Sequence, residues 1–186
     1  MDLNRHQFLS TVSALWVLIA GVLMAASPAN SADERDVSAA LTIRIAKFVG
    51  WPERATLADD QPFFIIGVMG GSGIRSAFSR FSGRFVNGKQ VKVVKITPST
   101  DSHSLRRCHI VYAESRKDVD LIAEMVARSE GVLTVAGPGG SGGGAACLDI
   151  VQEAGKLAFD INLRRTRNAS LGVDAGLIQL AHKVSR

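Results

Sequence analysis

Residues 63–69 read Phe63-Phe64-Ile65-Ile66-Gly67-Val68-Met69, with Pro62 in front and Gly70-Gly71 behind. A strand with one wet face alternates polar and apolar side chains. An unbroken apolar run of this length, closed off by turn residues, is a strand buried on both faces. Such strands belong to parallel sheets held between helices, because both faces must be covered to keep every side chain dry. The residues that follow agree: Ile74, Ala77, Phe78 and Phe81 fall at i, i+3, i+4 and i+7, one face of a short helix.

The rest of the chain extends this pattern in both directions. Residues 33–49 read as a helix, with Val37, Ala40, Leu41, Ile45 and Phe48 at helical spacing, and Trp51-Pro52 ends it because proline disfavours helix before it. Residues 53–61 form a polar loop. Asn87-Gly88 marks a turn ahead of a strand at 91–96, and Cys108-His109-Ile110-Val111-Tyr112 supplies a third strand. Ser115-Arg116-Lys117-Asp118 fits a capping box opening a helix with Val119, Ile122, Ala123 and Val126 as its apolar stripe. Residues 131–136 make a fourth strand. Residues 145–151 and 156–162 flank a turn at Gly155 and make a hairpin, and Asp174 caps a last helix whose inner face holds Leu177, Ile178, Ala181 and Val184. The expected fold is α/β: a single-domain three-layer sandwich with a mainly parallel sheet and a C-terminal antiparallel hairpin.

The first 32 residues look like an export signal. Arg5 and His6 precede an uncharged run at 8–26, and Ser27-Pro28-Ala29-Asn30-Ser31-Ala32 offers small residues for cleavage after Ala29 or Ala32. An uncleaved anchor is the alternative, since the run approaches the roughly 20 residues that span a bilayer. Either way residues 33–186 form one domain that works outside the cytoplasm, which argues against ATP, NAD and cytoplasmic nucleic acid as ligands. With 46% apolar and 21% charged residues, neither disorder nor a solenoid is suggested. The net charge of +5 is unchanged by removal of residues 1–32, which carry Asp2 and Arg5. It suits an acidic partner or simple solubility. Cys108 and Cys147 are the two cysteines, and one bridge or two buried thiols both fit.

Catalytic chemistry is poorly supplied. Gly67-Val68-Met69-Gly70-Gly71-Ser72-Gly73 joins a strand to a helix, the setting for anion binding, but lacks the Lys-Ser/Thr of a phosphate loop. Residues 137–142 match G-x-G-x-x-G yet precede a strand, so they read as a mobile surface loop. His103, His109 and His182 have no partners at metal-ligand spacing. Asp101-Ser102-His103-Ser104 holds catalytic residue types as sequence neighbours, whereas triads are assembled in space. Asp149 and Asp160 fall on paired strands as a conceivable acid pair, with outward-facing positions the plainer account. The basic cluster Arg164, Arg165 and Arg167 lacks interleaved aromatics, so nucleic acid is not expected. Phe48 and Trp51 at the end of the first helix stand out as contact residues, because tryptophan is enriched at interface hot spots. No enzyme, cofactor or metal is expected.

Two stretches carry a family resemblance. Ile43-Arg44-Ile45-Ala46-Lys47-Phe48-Val49-Gly50-Trp51-Pro52, shortly after an export signal, resembles the opening signature of the YfiR family. Leu157-Ala158-Phe159-Asp160-Ile161-Asn162-Leu163, followed by Leu171-Gly172-Val173 and the helix from Leu177, resembles its closing pattern. The resemblance implies an α/β sandwich without catalytic residues, located in the periplasm. It also implies a repressor that holds an inner-membrane diguanylate cyclase inactive through its periplasmic sensor domain. Release by an OmpA-like outer-membrane lipoprotein or by redox stress would then raise cyclic di-GMP and promote biofilm. Better-known members have more cysteines than this chain.

The resulting expectation is a periplasmic regulatory binding protein that restrains a membrane signalling protein, with a homodimer as the expected assembly. Phe48 and Trp51 would make contact while Arg164, Arg165 and Arg167 steer. The competing expectation is a periplasmic small-ligand binding protein that uses the glycine loops.

Overall fold

The apolar run is a central strand. In a computed structural model that describes residues 29–52, 62–141 and 143–186, Phe63–Met69 (β2) lies between two parallel neighbours, Lys89–Lys95 (β4) and Ile110–Ala113 (β5). Leu133–Ala136 (β6) and Leu148–Glu153 (β7) continue the parallel set. Lys156–Asn162 (β8) turns back on β7, and Lys183–Ser185 (β10) runs parallel to β8. With Phe85–Val86 (β3) antiparallel at the far edge, the sheet has eight strands in the order β10-β8-β7-β6-β5-β2-β4-β3. The export-signal stretch up to residue 28 and the polar loop at 53–61 lie outside the described residues.

Side chains alternate across this sheet into two cores. Phe64, Ile66 and Val68 of β2, Ile110 and Tyr112 of β5, and Leu133 and Val135 of β6 face one way. They meet the helices Ala29–Ala46 (α1) and Ser72–Ser79 (α2) through Ile43, Ile45, Ile74 and Phe78. Met69, Val111, Ala113 and Ala136 face the other way. They meet Leu105 of Ser102–Arg106 (α3) and Val119 and Ile122 of Arg116–Met125 (α4). Each fully buried residue of this size contributes about 1.5–3 kcal/mol, so β2 is stable only with both layers in place. The chain is a three-layer α/β sandwich, gathered into one unit over Asp33–Arg186.

Local signals acted as their chemistry predicts. Asn87 and Gly88 both take positive φ between β3 and β4, as a two-residue hairpin turn requires. Ser115 caps α4 by accepting from the Asp118 N–H, and Asp174 caps Ala175–Leu180 (α6) by accepting from Gly176.

Three expectations need correction. The last helix stops at Leu180, and Val184 sits in β10, because β8 offers an edge that pairs with Lys183–Ser185. Val49 leaves α1 for a two-residue strand, Val49–Gly50 (β1), which pairs with Gly172–Val173 (β9) as a separate ribbon. The third correction concerns the orientation of α1. Its buried side is Ser38, Ala39, Thr42, Ile43, Ile45 and Ala46, while Val37, Ala40 and Phe48 are exposed and Leu41 half-buried. Of the apolar stripe read from spacing, Ile45 is buried, Leu41 is half-buried against the same core, and Val37, Ala40 and Phe48 are exposed.

Tyr112 contributes to that orientation, alongside the burial of Ile43 and Ile45. Its hydroxyl lies beneath α1, hydrogen-bonded to Ser38 Oγ at 3.0 Å, and Thr42 Oγ1 donates to the Ser38 carbonyl at 2.9 Å. Burial pushes the phenol up to about 12, so it stays protonated and must be paired inside the protein. The same hydroxyl abuts Gly137, where a Cβ would sit 2.1 Å from it. Gly137→Ala is therefore expected to destabilise the protein by about 1–3 kcal/mol through overpacking. Tyr112→Phe in the same chain should recover part of the loss. Urea melts of the two variants check this, and an unchanged midpoint for Gly137→Ala would show that the loop yields freely.

Candidate interaction surface

The sheet has two strand ends at which a site could form. At the end where β2 finishes, the glycine-rich connection to α2 presents backbone N–H groups, and a carboxylate of the chain itself already meets them. Glu114 Oε2 accepts from the Gly71 N–H at 2.7 Å, and Arg35 Nε reaches its Oε1 at 3.4 Å. A Cβ at Gly70 would strike Ile74 and Glu114. Residues 137–141, 143 and 144 also approach side chains and backbone of the chain itself. Gly137 and Gly140 are buried, the latter against Val119 and Ser115, and Ser141 Oγ donates to the Pro138 carbonyl at 3.0 Å. Arg116 lies over Gly143, and Asn162 Nδ2 donates to the Gly144 carbonyl at 3.0 Å. These glycines serve close packing, and Glu114 sits where a ligand anion would at the α2 N-terminus.

At the opposite end, Trp51 closes the sheet. Its ring packs edge-on against Phe64 at 5.3 Å and His109 at 6.1 Å, and its Nε1–H points to the His109 carbonyl at 3.4 Å. His109 stacks on Phe64 at 4.5 Å, its Nδ1 accepts from the Ile65 N–H at 3.1 Å, and its own N–H donates to the Ile65 carbonyl at 2.9 Å. His109 thus precedes β5 rather than lying within it. Trp51 is half-buried here, while Phe48 is 45% exposed with its carbonyl bonded to Asp174 N at 3.0 Å. Through the β1–β9 ribbon, Phe48 and Trp51 are joined to the segment that follows the arginine helix Leu163–Asn168 (α5). Arg164 is exposed. Arg165 is half-buried with Nε directed to the Gly144 carbonyl at 3.4 Å, and Arg167 donates to the Leu163 carbonyl of its own helix at 3.0 Å.

Asp101, Asp149 and Asp160 are placed by the structure, and His103 lies exposed on α3. Asp101 is the N-cap of α3 and binds the Ser104 N–H at 2.9 Å and Oγ at 2.8 Å, which also holds its carboxyl below the usual range. Asp149 and Asp160 are directly opposed in register, and Asp160 Oδ1 meets His182 Nδ1 at 2.9 Å. Among the described residues no group of three or more His, Cys, Asp or Glu is placed to hold a metal ion. No helix there is long and apolar enough to cross a membrane.

Cys108 and Cys147 are both free and buried, and they belong to different cores, Cys108 beside Leu105 and Cys147 beside Leu148. Burial pushes the Cys108 thiol up to about 12 and raises Cys147 as well, so neither forms the reactive thiolate at neutral pH. The folded protein should resist iodoacetamide at pH 7.5 and take up two labels once denatured without reductant. Rapid labelling of the folded chain, or none after denaturation, contradicts this.

His109 carries a pH dependence. Burial first, and the nearby Lys89 charge second, lower it from 6.5 to about 4, so the folded protein holds it neutral. Between those values the unfolded chain takes up a proton that the folded chain refuses, and stability falls as the pH falls. Urea midpoints at pH 7.5 and 4.5 should show His109→Gln losing about 2 kcal/mol less than the parent over this interval. Parallel losses would mean that other groups set the slope.

No curated protein matches the chain. A family model, YfiR/HmsC-like, matches residues 35–182, from the first turns of α1 to the residue before β10. A match over nearly the whole sandwich, with Trp51 and the closing strand β8 inside it, makes this chain a member of the YfiR/HmsC-like family.

Proposed function

We propose that the protein is an exported regulatory binding protein that represses an inner-membrane signalling protein, a diguanylate cyclase with a periplasmic sensor domain. Family membership over residues 35–182 carries this reading. In it, residues 1–32 are a cleaved signal peptide and residues 33–186 are the working periplasmic domain. The repressor stabilises the inactive form of the sensor domain, and its effect is bounded by the difference in its affinity for the two forms. Phe48 and the exposed Arg164 contribute contact and steering, with Arg165 and Arg167 beside it, while Trp51 holds the α1 end in place. An OmpA-like outer-membrane lipoprotein is the release partner, and the working unit is a homodimer.

Co-expression of the full chain with a membrane diguanylate cyclase bearing a periplasmic sensor domain tests the reading. Cellular cyclic di-GMP should fall several-fold, and removal of residues 1–32 should abolish the effect by keeping the protein inside. An unchanged level, with the protein verified in the periplasm, would overturn it.

A further inference from the structure

We propose that the groove between α1 and the α2–β3 corner is a docking site for an acidic amphipathic helix of a partner protein, which rests on the regulatory reading above and assigns that partner a chemistry. The groove encloses about 460 Å³. Its floor is Leu41 of α1, Phe81 after α2 and Leu157 of β8, all half-buried. Val37 and Phe85 form the lips, 44% and 66% exposed. This apolar strip exists because α1 turns Ser38, Ala39, Thr42, Ile43, Ile45 and Ala46 inward, which leaves Val37 outside and Leu41 only half covered. Contiguous exposed apolar surface of this kind marks an interaction site more often than an accident.

Charge identifies the occupant. Arg44, Lys47 and Arg84 line the groove and are exposed, and no Asp or Glu lines it. Asp36, next to Val37, is already paired with Arg80. Arg84 leans on the Phe81 ring at 5.4 Å, which keeps its charge at the rim. An apolar floor with an all-basic rim is complementary to a helix carrying an apolar stripe flanked by Glu or Asp. From Val37 to Lys47 the wall runs about 15 Å at 1.5 Å per residue, room for roughly three turns of a partner helix. A second copy of this chain would bring a net charge of +5 against the same bases. A bilayer surface is flat and would leave Leu41, Phe81 and Leu157 uncovered. Strand addition has little to build on, since β3 is two residues long.

The test uses protein purified after expression of the full chain and two labelled 18-residue helical peptides. Both have leucines at i, i+3, i+4 and i+7, one with Glu on its flanks and the other with Lys. By fluorescence anisotropy the Glu peptide should bind and the Lys peptide should not, with affinity falling as salt rises. Leu41→Gln and Phe85→Ser should each weaken binding at least tenfold, and Arg44→Glu with Lys47→Glu and Arg84→Glu should reverse the preference. These side chains are exposed or half-buried, and unchanged melting curves will confirm that the variants fold. Equal binding of the two peptides, or insensitivity to the substitutions, overturns the proposal. Attachment to phosphatidylglycerol vesicles in place of the peptide, or a dimer dissolved by the same substitutions, also overturns it, in favour of a membrane or a second copy. The cyclase assay separates the two readings. If the parent chain represses and the groove variants repress equally, the groove is wrong and the repressor reading stands. If the peptide results hold and no repression occurs, the reverse is true.

Discussion

The hydroxyl of Tyr112 is the constraint from which much of the surface follows. The side chain rises from a central strand that is covered on both faces, so its one polar atom ends in the core and needs a partner there. Ser38 meets that need when α1 turns Ser38, Ala39, Thr42, Ile43, Ile45 and Ala46 toward the sheet. The short side chains also let the helix approach closely. On the other side of the phenol, the chain leaving β6 has to pass where no Cβ fits, at Gly137. One buried oxygen therefore favours the rotation that puts Ser38 inside and restricts the loop residue at Gly137, while Ile43 and Ile45 are buried on the same side of the helix and Val37 is left exposed.

Among the described residues, the protein's own groups occupy the anion position at the carboxyl ends of the strands and form a ring cluster at the other end. Parallel α/β sheets commonly bind ligands beyond the carboxyl ends of their strands, where glycine loops meet helix N-termini. Here Glu114 and Arg35 occupy that position, and the glycines are spaced by Tyr112, Val119 and Arg116 rather than by a ligand. At the other end the Trp51, Phe64 and His109 rings form a stacked plug. The apolar, basic-rimmed side of α1 is a distinctive part of the outer surface.

The sequence alone was enough for the architecture. An uninterrupted apolar strand, capping residues at Ser115 and Asp174, and turns at Asn87-Gly88 and Gly155 are local instructions, and each depends on neighbours only a few residues away. The family resemblance was also legible, because ordered short motifs survive without knowledge of their contacts, and the match over residues 35–182 agrees with it. Trp51 and the arginine cluster were visible as residue types, but their surroundings were not. Trp51 packs on rings contributed by Phe64 and His109, and Arg165 binds a carbonyl 21 residues away.

Only the tertiary structure decided which side of α1 is buried. Helical spacing marks Val37, Leu41 and Phe48 as a stripe, and a helix considered by itself would bury it. The competing demands come from Tyr112, 74 residues downstream of Ser38, whose buried hydroxyl needs a partner, and from Ile43 and Ile45, which are buried on the same side as Ser38. The ribbon of β1 and β9 and the strand β10 were hidden for the same reason: two or three residues have no periodicity of their own and become strands only when a distant partner presents an edge. Periodicity reports what a segment can bury, whereas the polar atoms of the rest of the chain determine which part of it is buried.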